Sequence, residues 1–333
     1  MSDPIRARRR LLGAAAVAPI LVPLATAPGR SFAQGKYPDK PIRMILGYPS
    51  GGSADGSFRP VQPKMEQLLG QSMIVDYRPG AGATIAVDLT ARAPNDGYTL
   101  HYVDSGPLTI VPNGKKVAYD PVKDLTPIGA CCGGGTLLVV HPSVPAGNLK
   151  ELVALCRAKP GFYSYGTSGI GGAGHLAAEL LQSMTGIEIL HVPYKGGGQA
   201  AVELMGGQIP LLFSSMGTAV PHLATARMKA IGVTSARRAS IVPNVPTIAE
   251  QGYPGYEATV WYGFAGPAGL PANVIATLNH ALQQALADPN AQEQIKRLGY
   301  ETMPGTPQDL ARLITADTLK WGKVIRDKKI VFE

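Results

Sequence analysis

Residues 163–175 read Tyr163-Ser164-Tyr165-Gly166-Thr167-Ser168-Gly169-Ile170-Gly171-Gly172-Ala173-Gly174-His175. A short β-prone run, Tyr163–Tyr165, enters a glycine-rich turn, and the apolar spacing from His175 to Thr185 predicts a helix behind it. The same strand–turn–helix unit occurs upstream, where Tyr48-Pro49-Ser50-Gly51-Gly52-Ser53-Ala54-Asp55 follows the predicted strand Ile42–Tyr48. Around these two units short apolar runs alternate with helical stretches. Strands are expected at Met73–Tyr77, Thr99–Val103, Pro127–Cys132, Leu137–His141, Glu188–Val192, Leu211–Ser214, Ala230–Val233 and Tyr256–Ala265. Helices are expected at Lys64–Leu69, Ile85–Arg92, Leu149–Ala158, Gln199–Met205 and Thr218–Thr225. Two long amphipathic helices close the chain, one carrying Val274, Leu278, Leu282 and Leu286, the other Leu310, Ile314, Trp321 and Val324. The last opens on Thr306-Pro307-Gln308-Asp309, a cap, a first-turn proline and a first-turn acid. This alternation predicts an α/β fold.

The two turns are where chemistry is expected. Glycine lets backbone N–H groups approach a ligand closely. A helix start supplies unpaired donors and a positive partial charge, so such a turn binds anions. In open α/β sheets ligands sit at the carboxyl ends of strands, where both turns lie. Rival readings of the second turn are weaker. Gly169, Gly171 and Gly174 match the dinucleotide spacing, but Glu188 opens the next strand instead of ending it. Gly166-Thr167-Ser168-Gly169 resembles a hydrolase elbow, yet Ile170 stands where the final glycine belongs. A purely structural pair of tight turns is the remaining alternative. His175 either faces the ligand or caps its helix; Lys195 either meets an anion or is solvated; Asp55 either sits in a helix's first turn, where it interacts with the dipole, or meets an amino group on a ligand. The six histidines show no metal-binding pair, so no metal is expected.

The chain has 333 residues, 45% hydrophobic and 16% charged, which argues against a disordered chain and supplies a sizeable core. Residues 6–10, Arg-Ala-Arg-Arg-Arg, precede an uncharged stretch from Leu11 to Thr26, then Ser31-Phe32-Ala33. This is an export-signal layout over 1–33, compatible with the twin-arginine or the general secretory route, and predicts a periplasmic protein. Five arginines and one aspartate lie in residues 1–34, so the net charge of +8 becomes +4 without them. That excess is scattered, which argues against nucleic acid and suits a small anion. Cys131, Cys132 and Cys156 are expected to be buried thiols.

Many segments in fixed order carry a family resemblance. They include Tyr37-Pro38-Asp39-Lys40-Pro41-Ile42, Arg78-Pro79-Gly80-Ala81-Gly82, Asp96-Gly97-Tyr98-Thr99-Leu100, Tyr119-Asp120-Pro121-Val122-Lys123-Asp124, His191-Val192-Pro193-Tyr194-Lys195-Gly196 and Pro243-Asn244-Val245-Pro246-Thr247. The chain resembles the solute-binding components of tripartite tricarboxylate transporters, the Bug family of periplasmic binding proteins. The resemblance implies a two-domain Venus-flytrap fold of type II, with a central sheet in each domain. It divides the chain into 37–134 plus 256–333 and 135–255, hinged near Cys132–Thr136 and Tyr253–Ala258. It also implies a monomer with no catalysis and no cofactor, served by a large and a small integral membrane subunit. Carried over by position, the carboxylate contacts are Gly51, Gly52, Ser53, Ala54 and Asp55 in one domain, with Tyr48 and Ser50 as candidates beside them. In the other they fall within Thr167–Gly174, namely Thr167, Ser168, Gly169, Gly172, Ala173 and Gly174, with His175, Tyr194 and Lys195 as candidates beside them. Ser105, Gly106 and Ser214 line the cleft between them. Sensing for a membrane kinase, or an exported enzyme acting on a carboxylate, are the alternatives.

One departure stands out. The family runs an unbroken helix after the first turn, whereas Pro60 and Pro63 interrupt it here. A proline inside a helix costs about 3 kcal/mol. The helix therefore kinks, or restarts at Pro60, and a restart takes its dipole away from Gly51–Asp55.

Overall fold

The computed structural model describes residues 37–330 except Lys195, together with Phe332; the export signal predicted over 1–33 lies outside the described residues. Strand β1 (Ile42–Leu46) is buried at four of five positions, as a strand covered on both faces requires. It pairs in parallel with β2 (Met73–Tyr77) and β3 (Thr99–Asp104). The first sheet runs β11 (Glu301–Thr302), β4 (Leu125–Gly135), β10 (Thr259–Pro267), β3, β1, β2, with β10, β4 and β11 antiparallel to their neighbours. The second runs β7 (Leu190–Pro193), β6 (Ser164–Thr167), β8 (Leu211–Ser214), β5 (Leu137–Val140), β9 (Lys229–Val233). There β6 is parallel to β7 and β8, while β5 is antiparallel to β8 and β9.

The chain leaves the first sheet at Thr136 and returns to it over residues 234–258. Buried threonines tie the two passages together. Thr136 N–H donates to Thr234 Oγ1 (2.7 Å), whose hydroxyl donates to the Ala258 carbonyl (2.7 Å). Thr234 N–H returns a bond to Thr136 O (3.0 Å), and Ala258 N–H one to Thr234 O (2.8 Å).

The proline question has a mixed answer. Helix α1 (Ser53–Phe58) starts directly after the first turn, and α2 (Gln62–Leu69) restarts with Pro63 in its first turn. Both ring clashes are absorbed by the break at 59–61. The restart therefore falls at Gln62, not Pro60, and the start of α1 stays at the turn. Further on come α3 (Thr84–Ala91), a π-helical turn at Gly106–Ile110, α4 (Val111–Gly114), α5 (Leu149–Ala158), α6 (Ala173–Thr185), α7 (Gly197–Met205) and α8 (Met216–Leu223). The chain ends in α9 (Ala272–Leu286), α10 (Pro289–Arg297) and α11 (Pro307–Asp327). The helical segment 106–114 and α10 escape the sequence reading: Gly and Pro dominate the first, and only Ala291 and Ile295 of the second are buried.

Phe58, Tyr102 and Phe264 form the aromatic centre of the first core, with ring centroids 5.1–6.0 Å apart. Leu138, Tyr165, Leu176 and Phe213 sit in the second. Helix α11 belongs to both. Leu310 and Ile314 pack with Val103 and Trp261 against the first sheet, while Trp321, Val324 and Ile325 enter the second core. Its start carries the expected capping box between Thr306 and Asp309. All three cysteines are free and buried, as expected. Among the described residues no helix is long and apolar enough to cross a membrane.

Candidate functional site

Because β1 and β3 are parallel, the turn at 48–55 and the end of β3 meet on one edge of the first sheet. Gly51 takes the left-handed conformation (φ +79°) that a Cβ disfavours. Its amide donates to Asp55 Oδ2 (2.9 Å), and Ser50 Oγ reaches the same oxygen (3.3 Å). The Gly52 amide donates to Pro49 O (3.3 Å). These two amides, expected to face a ligand, are thus engaged within the turn. Gly52 is the N-cap of α1 with no side-chain cap, and the next amides, Ser53, Ala54 and Asp55, have no partner among the described residues. Asp55 does sit in the first turn. Burial works against its charge, but bonds from Gly51 N–H and Tyr77 OH, with the Arg59 guanidinium, hold its carboxyl below the usual range.

The second turn repeats this arrangement. Gly169 (φ +136°) donates its amide to Thr167 Oγ1 (3.2 Å), and Gly171 donates to His175 Nδ1 (3.1 Å). Gly172 is the N-cap of α6, again without a side-chain cap, and the amides of Ala173, Gly174 and His175 have no partner among the described residues. Gly174 has a packing reason as well: a Cβ there would meet Phe213 O at 2.8 Å. The His175 side chain is held within its own lobe. It is buried, bonded back to Gly171, and stacked on His191 with centroids 4.1 Å apart. His191 Nε2 in turn lies 2.7 Å from Thr167 Oγ1. Tyr194 N–H donates to Thr167 O (3.1 Å), which brings Tyr194 to the turn; Ser168 is exposed, and Lys195 lies outside the described residues.

At the strand ends Ser105 and Ser214 are 1% and 2% exposed, and neither hydroxyl has a partner among the described residues. A buried unpaired hydroxyl calls for a water or ligand partner. Gly106 donates its amide to Asp104 Oδ1 (2.8 Å). Asp104 stands at the same strand end and was not among the expected residues; the available signal was an acid ending a strand at the carboxyl edge of a sheet. The site residues of each lobe are brought together around its own turn, and among the described residues no hydrogen bond joins the two sets. No cluster of three or more His, Cys, Asp or Glu able to hold a metal occurs among the described residues.

The histidine stack has a measurable consequence. Burial, then the neighbouring His191, pushes His175 down to about 3, and burial pushes His191 down to about 4. The folded state keeps both neutral, so the unfolded chain takes up more protons as pH falls below about 6.5. Their stabilising contribution is therefore complete above that pH and is lost towards pH 4. The melting-temperature advantage of wild type over His175→Gln should narrow between pH 7.5 and pH 5. A constant or widening gap contradicts the neutral stack.

A family model described as "Tripartite tricarboxylate transporter family receptor" matches residues 57–330. Among solved structures, R. palustris Rpa4515 with adipate aligns with a TM-score of 0.80 and 31% identity, over 89% of this chain and 99% of that one. The periplasmic binding protein BugD aligns at 0.78 and 30%, over 89% and 100%. MatC from Rhodopseudomonas palustris with bound malate aligns at 0.77 and 28%, over 87% and 100%. The two sheets, the restarted helix and the paired turns are thus set in the two-domain α/β architecture of periplasmic binding proteins, and the family is one of solute receptors, not of enzymes. The chain belongs to the tripartite tricarboxylate transporter receptor family.

Proposed function

We propose that this protein captures a small carboxylate in the periplasm and delivers it to a tripartite membrane transporter with a large and a small subunit. The ligand sits between lobe 37–134 plus 256–333 and lobe 135–255. The observation that carries this reading is the pair of uncapped helix starts, α1 and α6, each with unpartnered amides at the carboxyl edge of its own sheet. Helix dipoles and free N–H groups make such ends complementary to an anion. The orphan hydroxyls of Ser105 and Ser214 supply further donors. Adipate and malate, bound in two structures of similar fold, are small carboxylates of this kind. Closure pivots on the threonine-tied passages at Thr136 and 234–258 and brings the two helix starts onto one guest.

Thermal shift against adipate, malate, other dicarboxylates and aromatic acids tests the reading. A ligand at a hundred times its Kd adds about 2.7 kcal/mol to stability, so at least one acid should raise the melting temperature by several degrees. No response to any carboxylate, with a response to a neutral solute, refutes it. Delivery is tested by uptake of that acid with and without the membrane subunits; equal uptake refutes that part.

A further inference from the structure

Asp104 ends β3 at the carboxyl edge of the first sheet, next to Ser105 and Gly106. It is 5% exposed. Its Oδ1 accepts two bonds, from Gly106 N–H (2.8 Å) and Tyr48 OH (3.3 Å). Among the described residues its Oδ2 accepts no hydrogen bond, and no ion pair with a lysine, arginine or histidine is seen. Among the described residues the fully enclosed side-chain atoms without a partner are those of Ser105, Ser214, His101 and Trp321; Asp104 Oδ2 is not one of them. The titratable groups around the carboxylate are Tyr48 after β1, Tyr119, Tyr262 on β10 and Tyr300 before β11. Tyr48 touches the carboxylate and the other three phenols lie within electrostatic reach of it, with no cation paired to it among the described residues.

In a cleft built for an anion, such a group repels a second carboxylate and attracts a cation. We infer that the ligand carries a positively charged nitrogen as well as its carboxylate, and that Asp104 Oδ2 is the residue atom that selects it. The inference rests on the carboxylate reading and narrows it to amino acids and related amino carboxylates. Two donors already on Oδ1 favour the ionised form that an ammonium group needs. Burial, only partly offset by the bonds from Gly106 N–H and Tyr48 OH, leaves the carboxyl raised to about 7, so the empty site lacks a counter-charge that the ligand supplies.

Calorimetry at about pH 8 with matched pairs tests this: succinate with aspartate, glutarate with glutamate, adipate with 2-aminoadipate, valerate with 5-aminovalerate. One amino compound should bind at least about tenfold more tightly than its nitrogen-free partner. Asp104→Asn, which keeps an Oδ1 acceptor for both bonds, should erase that preference by weakening the amino compound while leaving the nitrogen-free acid as tight or tighter, since the repulsion goes with the charge. In wild type the amino compound should also weaken about tenfold towards pH 5.5, as Asp104 protonates. Binding of the nitrogen-free acid at least as tightly overturns the inference alone, as does a preference that survives Asp104→Asn. Weakening of a nitrogen-free acid by that variant overturns it too, because it makes Asp104 a proton donor. Binding of no carboxylate from either column overturns the carboxylate reading with it. The wild-type comparisons decide the matter even where the variant does not fold.

Discussion

Ala173→Pro lowers affinity for the carboxylate about ten- to a hundredfold and leaves the melting temperature of the empty protein nearly unchanged. Ala173 is the first residue of α6, where proline fits the helix and deletes only an N–H that the helix does not use. The preceding Gly172 is already extended (φ −75°, ψ 166°), as a residue before proline must be. What disappears is one charge-assisted hydrogen bond, worth about 1.5–3 kcal/mol. Ser53→Pro makes the same deletion at α1, behind an equally extended Gly52 (φ −77°, ψ 176°). Calorimetry of the two variants, with thermal unfolding as control, checks both; unchanged affinity in Ala173→Pro removes α6 from the site. The same substitution at Gly52 or Gly169 is a poorer probe. Their amides already bond to Pro49 O and Thr167 Oγ1, and Gly169 at φ +136° lies far from the proline range.

Trp321→Ala costs about 3–5 kcal/mol of stability, the range for emptying a buried aromatic site. The chain has two tryptophans, and truncating each to phenylalanine separates packing from hydrogen bonding. Trp261 Nε1 donates to Asp317 Oδ2 at 2.6 Å, and both are buried. Trp261→Phe strips that carboxylate of its donor and costs about 1–3 kcal/mol beyond the lost volume. Trp321 Nε1 is buried with no partner among the described residues, so Trp321→Phe removes an unpaired donor and falls well below Trp261→Phe in cost. Urea unfolding of the three variants gives the order; a costlier Trp321→Phe contradicts the assignment of the two indole groups.

The strand–turn–helix units were legible because glycine runs at strand ends have few other uses, and both turns stand where they were expected. Which amides remain free was not legible. That depends on short-range side-chain geometry: Asp55 reaching back to Gly51, and His175 to Gly171. Both are contacts across four residues at a helix start, and glycine spacing does not encode them. Asp104 stayed hidden for another reason. Five of the six residues of β3 are buried, Asp104 among them, and a sequence shows an acid's charge but not whether a cation stands opposite it. Pro60 and Pro63 signalled a break correctly; its position, and the survival of α1 ahead of it, depend on where tertiary packing places the turn.

Helix α11 gives the molecule a third mechanical link beside the two strand passages. At 21 residues it is about 31 Å long, stiff on that scale, with its early turns fixed in one lobe and Trp321 seated in the other. Any wide gape between the lobes would have to bend this rod or uproot one of its ends. A narrow range of openings is therefore expected for the empty receptor, with little freedom to surrender on meeting its guest.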